Sequence, residues 1–215
     1  MSILGILFDL DGVLIRSEEL ALQAWNEMLN QRGESLSEIQ YKQMIGTADT
    51  SGYVRNHFNL DMTREAIQED HRTRVMRLLE TDLEAMPGAE AILQAIHKRG
   101  FPLAIASNSL QVYVEKALQV SGLRPYFQAV VARDLVPNPK PAPDVYQQAA
   151  RELGLESTFC LAVEDSPIGM QAALAAGTRC VVVPHSSLLD GDFSGAYARF
   201  NNLDEVHGAL GSLLR

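Results

Sequence analysis

Short, wholly apolar runs alternate with amphipathic stretches along most of the chain. Ile3–Phe8 is too short for a buried helix and reads as a strand covered on both faces. Similar runs recur at Leu103–Ala106, Ala129–Ala132, Cys160–Val163 and Cys180–Val183. Between them, apolar positions fall at helical spacing over Ala89–Lys98, Leu110–Val120, Asp144–Leu153 and Pro167–Ala176. A glycine follows each stretch, at Gly100, Gly122, Gly154 and Gly177, where a helix can stop cheaply in the left-handed conformation. Strand, helix, strand, helix in this order predicts an α/β fold, a parallel sheet with helices on both faces. Asp190–Phe200 reads as surface loop and Leu203–Leu214 as a closing helix.

One section breaks the alternation. From Ser17 to about Asp82 there is no strand-like run. Leu20, Ala21, Ala24, Trp25, Met28 and Leu29 lie at helical spacing, with Ser17 placed to cap them. Ile39–Ile45 and Tyr53–Phe58 predict shorter helices, and Ile67, Val75, Leu78 and Leu79 a longer one. Four helices in this length can pack as a small bundle. The economical reading is a helical insertion, residues 16–82, in an α/β core made of residues 1–15 and 83–215. Met86-Pro87-Gly88 marks the return to the core.

Composition narrows the function classes. The chain has 215 residues, 47% of them apolar, enough to bury a sizeable core. A net charge of -9 disfavours a protein built to grip nucleic acid, which needs a basic face. It leaves an anionic small molecule open, since a site needs only local positive charge or a metal. Two cysteines exclude a disulfide scaffold, and no run reaches the roughly 18 apolar residues of a membrane span. The first residues, MSILGILFDLDGV, lack a basic segment and a small-residue cleavage site. The expectation is therefore a cytoplasmic chain with no nucleic-acid or membrane partner, a monomer, with a dimer as the alternative.

In an open parallel sheet, ligands bind beyond the carboxyl ends of the strands. Asp9-Leu10-Asp11-Gly12 follows the first apolar run, and Ser107-Asn108-Ser109 the second. A loop with Lys140 between two prolines follows the third, and Glu164-Asp165-Ser166 the fourth. Each has a bland alternative: loop entry for Asp9 and Asp11, a surface position for Lys140, helix capping for the other two. Together, in this order, they are far more specific. Converging carboxylates repel unless a cation sits among them, and oxygen-only ligands suit Mg²⁺. Lys140, with Ser107 and Asn108 leading into a helix, adds an anion site. Carboxylate, Mg²⁺ and lysine around an anion point to phosphoryl transfer, in which an aspartate can itself be the nucleophile.

FDLDGVL, ASNS, KPAPDVY and VEDSPIGMQAA resemble, in order and over essentially the whole chain, the four motifs of the haloacid dehalogenase-like superfamily of phosphatases and phosphomutases. The inserted helices resemble the helical cap of the branch containing phosphoglycolate phosphatase and β-phosphoglucomutase. The resemblance implies a Rossmann-like parallel-sheet core with an inserted α-helical cap domain. It implies Asp9 as nucleophile and Asp11 as general acid and then base, with Ser107, Asn108 and Lys140 on the phosphate. The Mg²⁺ ligands would be Asp9, the backbone carbonyl of Asp11, and Asp165, with Glu164 acting through metal-bound water. Asp11 also argues against dehalogenation, since a halide leaves without an acid.

Substrate choice in this family sits mainly in the cap. β-Phosphoglucomutases carry a histidine where this chain has Ala21, and a lysine and an arginine where it has Ile45 and Asp49 around Gly46. The expected activity is thus a Mg²⁺-dependent phosphomonoester hydrolase acting on a small phosphorylated metabolite. A sugar-phosphate mutase and an inactive phosphate-binding regulator are the alternatives. Arg16, Gly46 and Thr47 are candidate specificity positions; for Arg16 a structural salt bridge to the cap is the preferred reading, and contact with an anionic substrate tail the alternative. Trp25 reads as core, Arg55, His57, Arg72 and Arg74 as solvated face, and Cys160 and Cys180 as core thiols.

Overall fold

The computed structural model describes residues 2–45, 49–185 and 188–215. Gly46 and Thr47, two of the candidate specificity positions, lie outside the described residues. The chain divides into two compact units, one of Met1–Arg16 with Glu84–Arg215, the other Ser17–Leu83.

The first unit is built on a six-stranded parallel sheet. Its strands are β1 (Gly5–Phe8), β2 (Leu103–Ala106), β3 (Ala129–Val131), β4 (Cys160–Glu164), β5 (Arg179–Val182) and β6 (Ala198–Arg199), in the order β3-β2-β1-β4-β5-β6. In the central register Leu7 lies beside Ala104 on one side and Ala162 on the other. The strands alternate their side chains between two faces, and β1, β2 and β4 are buried throughout. This is why they read as unbroken apolar runs. One face carries Leu7, Ala104, Ala106, Ala162 and Cys180, packed with Val145, Tyr146, Ala149, Met170 and Ala173 from α7 (Asp144–Glu152) and α8 (Pro167–Ala175). On the other face Phe8 meets the ring of Phe127 edge-on, centroids 6.4 Å apart. The unit also contains α5 (Ala89–Lys98), α6 (Gln111–Val120) and α9 (Leu203–Leu213).

Two details of this unit differ from readings the sequence offers. Asp190–Phe200 is not loop throughout: Ala198–Arg199 adds a sixth strand beside β5. Its ladder continues through Tyr197 N donating to Cys180 O and Phe200 N to Val182 O. A two-residue edge strand leaves no apolar run to read. Ser107-Asn108 does not cap α6 either, whose N-cap is Leu110.

The second unit contains α1 (Ser17–Asn30), α2 (Glu38–Ile45), α3 (Thr50–His57) and α4 (Arg64–Asp82). Ser17 is the first helical residue rather than the cap. Asp49 and Thr63 cap α3 and α4 by accepting from Gly52 N and Ala66 N. Trp25, Met28, Leu29, Tyr41, Met44, Val54 and Ile67 form the core. Trp25 stacks on His71 at 3.9 Å between ring centroids. The His71 Nε2 lies 3.1 Å from the carbonyl of Ala21, and burial pulls its pKa down to about 4. Arg74 is not on a solvated face: only 18% exposed, it bonds Asp70 at 3.0 Å and lies 3.8 Å from Glu27 of α1.

Candidate active site

Four strand ends carry the polar residues. Asp9 prolongs β1, its N–H donating to Val163 O at 3.0 Å, so its side chain is set by the sheet. The chain then turns through Gly12 at φ +75°, a conformation glycine adopts without strain. The turn is also crowded, because a Cβ on Gly12 would overlap Asp165 Oδ2 and lie 3.1 Å from Asp165 Cγ. Ser107 prolongs β2 by donating to Val131 O at 3.0 Å.

Lys140 comes from an irregular loop and needs an anchor. Asn108 supplies it. Its Oδ1 accepts from Lys140 N at 2.9 Å, and its Nδ2 donates to Lys140 O at 3.4 Å. The Asn108 amide therefore engages the lysine backbone, and the ammonium is carried to the centre of the sheet edge. There Nζ donates to Asp9 Oδ1 and Glu164 Oε1, both at 2.6 Å. It also stands 5.0 Å from the ring centroid of Tyr146.

Glu164 is fully buried at the end of β4. Its Oε1 accepts from Tyr146 OH at 2.7 Å as well as from Lys140. Its Oε2 accepts from Asp165 N at 3.1 Å, Ser166 N at 3.4 Å and Ser166 Oγ at 3.3 Å. The carboxylate thus rests on the N-terminus of α8, where exposed amides and the helix dipole favour negative charge. Gly169, in the first turn of α8, makes this approach possible: a Cβ there would collide with the Glu164 carboxyl group. Ser166 caps the same helix by accepting from Gly169 N. The run Glu164-Asp165-Ser166 thus supplies the helix cap through Ser166 and two clustered carboxylates through Glu164 and Asp165.

Asp9, Glu164 and Asp165 are buried, and each offers a carboxylate oxygen such that all three atoms lie within 4.8 Å of one another. Burial chiefly, opposed by Lys140 and reinforced by Glu164 and Asp11, pushes the pKa of Asp9 up to about 7. Burial would lower that of Lys140, but Asp9 and Glu164 outweigh it and hold the ammonium above its ordinary value. Burial, then the charge of Glu164, holds the Tyr146 phenol well above its ordinary value. With all three ionised, three carboxylates against one ammonium leave two negative charges, which one divalent cation would balance. The donors are all hard oxygens, so the residues fit Mg²⁺.

Asp11 stands apart. It is outside the three-carboxylate cluster, with Oδ2 accepting from Ser109 Oγ at 2.7 Å and Oδ1 from Tyr113 OH at 2.9 Å. Ser107 Oγ accepts from Ser109 N at 3.0 Å, fixing the turn that presents Ser109. Arg16 pairs with Glu84 at 3.6 Å, both side chains largely exposed, where the chain leaves the first unit and returns to it. Cys160 and Cys180 are buried free thiols, and burial raises the pKa of both, that of Cys160 to about 11. Neither has the lowered pKa of a reactive cysteine.

Sequence reasoning passed over Ser109, Tyr113, Tyr146 and Gly169. Gly169 did leave a signal, since a glycine inside a helix costs about 1 kcal/mol against alanine and invites a packing explanation. Tyr113 left none, because an aromatic residue in the first turn of a helix reads as packing.

Comparison with known proteins agrees with this architecture. CbbY of Rhodobacter capsulatus is 30% identical over 215 residues, covering 94% of this chain and 95% of its own. The fructose-1-phosphate phosphatase YqaB of Escherichia coli K12 is 32% identical over 182 residues, covering 83% and 95%. The crystal structure of CbbY from Rhodobacter sphaeroides in complex with phosphate superimposes with a TM-score of 0.80 at 28% identity, covering 95% and 96%. The sequence profile of the haloacid dehalogenase-like hydrolases matches residues 6–183, and the chain belongs to that family.

Proposed function

We propose that the protein is a Mg²⁺-dependent phosphomonoester hydrolase that works through an aspartyl-phosphate on Asp9. The observation that carries this reading is the Lys140 ammonium, 2.6 Å from both Asp9 and Glu164, inside a buried three-carboxylate cluster. A buried carboxylate beside a fixed cation suits attack on an anion, because the cation offsets the repulsion between them. Asp9 Oδ attacks phosphorus, the bond to the ester oxygen breaks, and Asp11 gives that oxygen its proton. Water then attacks the aspartyl-phosphate with Asp11 as base, releasing phosphate and restoring Asp9. Lys140 and the Ser107 hydroxyl hold phosphoryl oxygens throughout. Asp9, Asp165 and the Asp11 carbonyl would hold Mg²⁺, with Glu164 beside them through water. When bound, the ion would offset the charge of nucleophile and phosphoryl group.

The substrate class we infer is a sugar or polyol monophosphate. The fructose-1-phosphate phosphatase and the hexitol phosphatase A of Escherichia coli K12, each 32% identical to this chain, support it. Ala21, Ile45 and Asp49 disfavour the mutase alternative, which must grip a second phosphate.

The test is phosphate release from a panel of phosphorylated metabolites, with and without Mg²⁺, for the native chain, Asp9→Asn and Asp165→Asn. Mg²⁺-dependent release is expected, lost in Asp9→Asn and needing more Mg²⁺ in Asp165→Asn. Retained turnover in Asp9→Asn would sink the nucleophile assignment. Isomerised product without net phosphate release would favour the mutase.

A further inference from the structure

We infer that Ser109 and Tyr113 are positioning residues for Asp11, a dedicated hydroxyl clamp that sets how well the enzyme expels poor leaving groups. This rests on the hydrolase reading above and extends it to residues that reading does not use.

The two hydroxyls hold one side chain from two different elements. Ser109 comes from the loop after β2 and donates to Oδ2 at 2.7 Å; Tyr113 comes from the first turn of α6 and donates to Oδ1 at 2.9 Å. The loop is itself braced. Ser107 Oγ accepts from Ser109 N, Arg133 N donates to Ser109 O at 3.2 Å, and Gln111 N donates to Asp134 Oδ1 at 2.8 Å. Both donors are thus presented by fixed backbone.

Geometry explains why such a clamp is needed. In an in-line displacement the nucleophile approaches phosphorus from about 3 Å. The acid reaches the leaving oxygen on the far side over a further hydrogen bond of about 3 Å. The acid therefore stands roughly 6 Å or more from the nucleophile, across the width of the phosphoryl group. Asp11 cannot share the cation cluster and still do this, and its side chain is outside that cluster. Asp9 and Glu164 are held by Lys140, while Asp11 relies on Ser109 and Tyr113.

The chemistry of the donors fits an acid that must also act as a base. A hydroxyl donates to a carboxylate and, after rotation, accepts from a carboxylic acid. Ser109 and Tyr113 can therefore hold Asp11 in both protonation states. A lysine or arginine in their place would donate only, and would favour the charged form alone.

The test compares kcat/KM on two phosphomonoesters, both with Mg²⁺. Glycerol phosphate has an alkoxide leaving group that needs a proton; p-nitrophenyl phosphate has a leaving group stable without one. Tyr113→Phe keeps the ring and removes only the hydroxyl. It is expected to lower the glycerol phosphate to p-nitrophenyl phosphate ratio about tenfold, as is Ser109→Ala. The double variant should approach the ratio of Asp11→Asn, and Ser109→Thr, which retains a hydroxyl, should restore most of the ratio lost in Ser109→Ala. A merely structural role would lower both substrates together and leave the ratio in place, which overturns the inference. If Asp11→Asn shifts the ratio and Tyr113→Phe does not, the clamp is overturned while the acid assignment survives. If Asp11→Asn leaves the ratio alone, the acid assignment falls and takes the clamp with it. If the native chain turns over neither ester, the hydrolase reading fails.

Discussion

Replacing Gly12 by alanine separates two effects that the structure places at one residue. The first is conformational. Gly12 sits at φ +75°, where an L side chain costs about 1–2 kcal/mol. The second is steric. A Cβ at Gly12 would overlap Asp165 Oδ2 and crowd Cγ at 3.1 Å, so the carboxylate must shift by about 1 Å to reach ordinary contact. Magnesium tolerates little deviation from oxygen distances of about 2.0–2.1 Å, so that shift removes a ligand. Gly100 provides the control: its φ is +78°, but nothing lies within 4 Å of a Cβ built there. Both variants carry the backbone cost, and only Gly12→Ala carries the collision. The assay is thermal unfolding with and without Mg²⁺. At a hundredfold excess over Kd, a bound ion adds about 2.7 kcal/mol. In a chain of this size that is about 5–10 °C in Tm. Gly100→Ala is expected to lose about 2–8 °C throughout and keep the full Mg²⁺ gain. Gly12→Ala is expected to lose at least as much without Mg²⁺ and half or more of the gain. A full Mg²⁺ gain in Gly12→Ala would refute the placement of Asp165 at the metal.

Two further outcomes follow from the charges. Lys140→Met leaves Asp9 and Glu164 buried without their ammonium and should cost about 3–5 kcal/mol in urea unfolding. A loss below about 1 kcal/mol would show that the ion pair is not formed in solution. His71 has a pKa near 4 against an ordinary 6.5, so between these values the unfolded chain takes a proton that the folded one refuses. Stability should therefore fall, on the order of 2–3 kcal/mol, as pH drops through that window, and level off below it. His71→Phe keeps a ring against Trp25 and should lose this part of the slope in urea titrations at pH 7 and 4.5; an unchanged slope would remove His71 from the account.

The parts legible in the sequence are those whose burial is uniform. β1, β2 and β4 show as apolar runs because both of their faces are covered, and α5, α7 and α8 because each drifts apolar every third or fourth residue. The short strand Ala198–Arg199 was illegible because its existence depends on the backbone of β5, not on its own side chains. Arg74 reads as solvated although Asp70, its nearer partner, lies four residues earlier on the same helix; what spacing cannot show is Glu27, which stands beside it on another helix. Asp9, Asp11, Lys140 and Glu164 were legible as strand-end polar residues. The second tier, Tyr146 beneath Glu164 and Ser109 and Tyr113 around Asp11, was not. Those side chains carry no unusual chemistry of their own and gain meaning only from what they touch.

The position of β1 also sets the order in which the molecule can be made. This strand is the first of the chain, yet its hydrogen-bonded neighbours begin at Leu103 and Cys160. At a synthesis rate of about 5–20 residues per second, roughly 8–30 s separate its emergence from that of its second neighbour. Until then an apolar strand with free edges waits in solution, the circumstance that recruits chaperones. The helices of Ser17–Leu83, by contrast, belong to a compact unit of contiguous sequence and have all emerged before β2. Asp9 emerges about 155 residues before Glu164 and Asp165, and it can meet them only once β4 has been made. A nascent chain that ends before β4 therefore cannot assemble the three-carboxylate cluster, however long its helices have been folded.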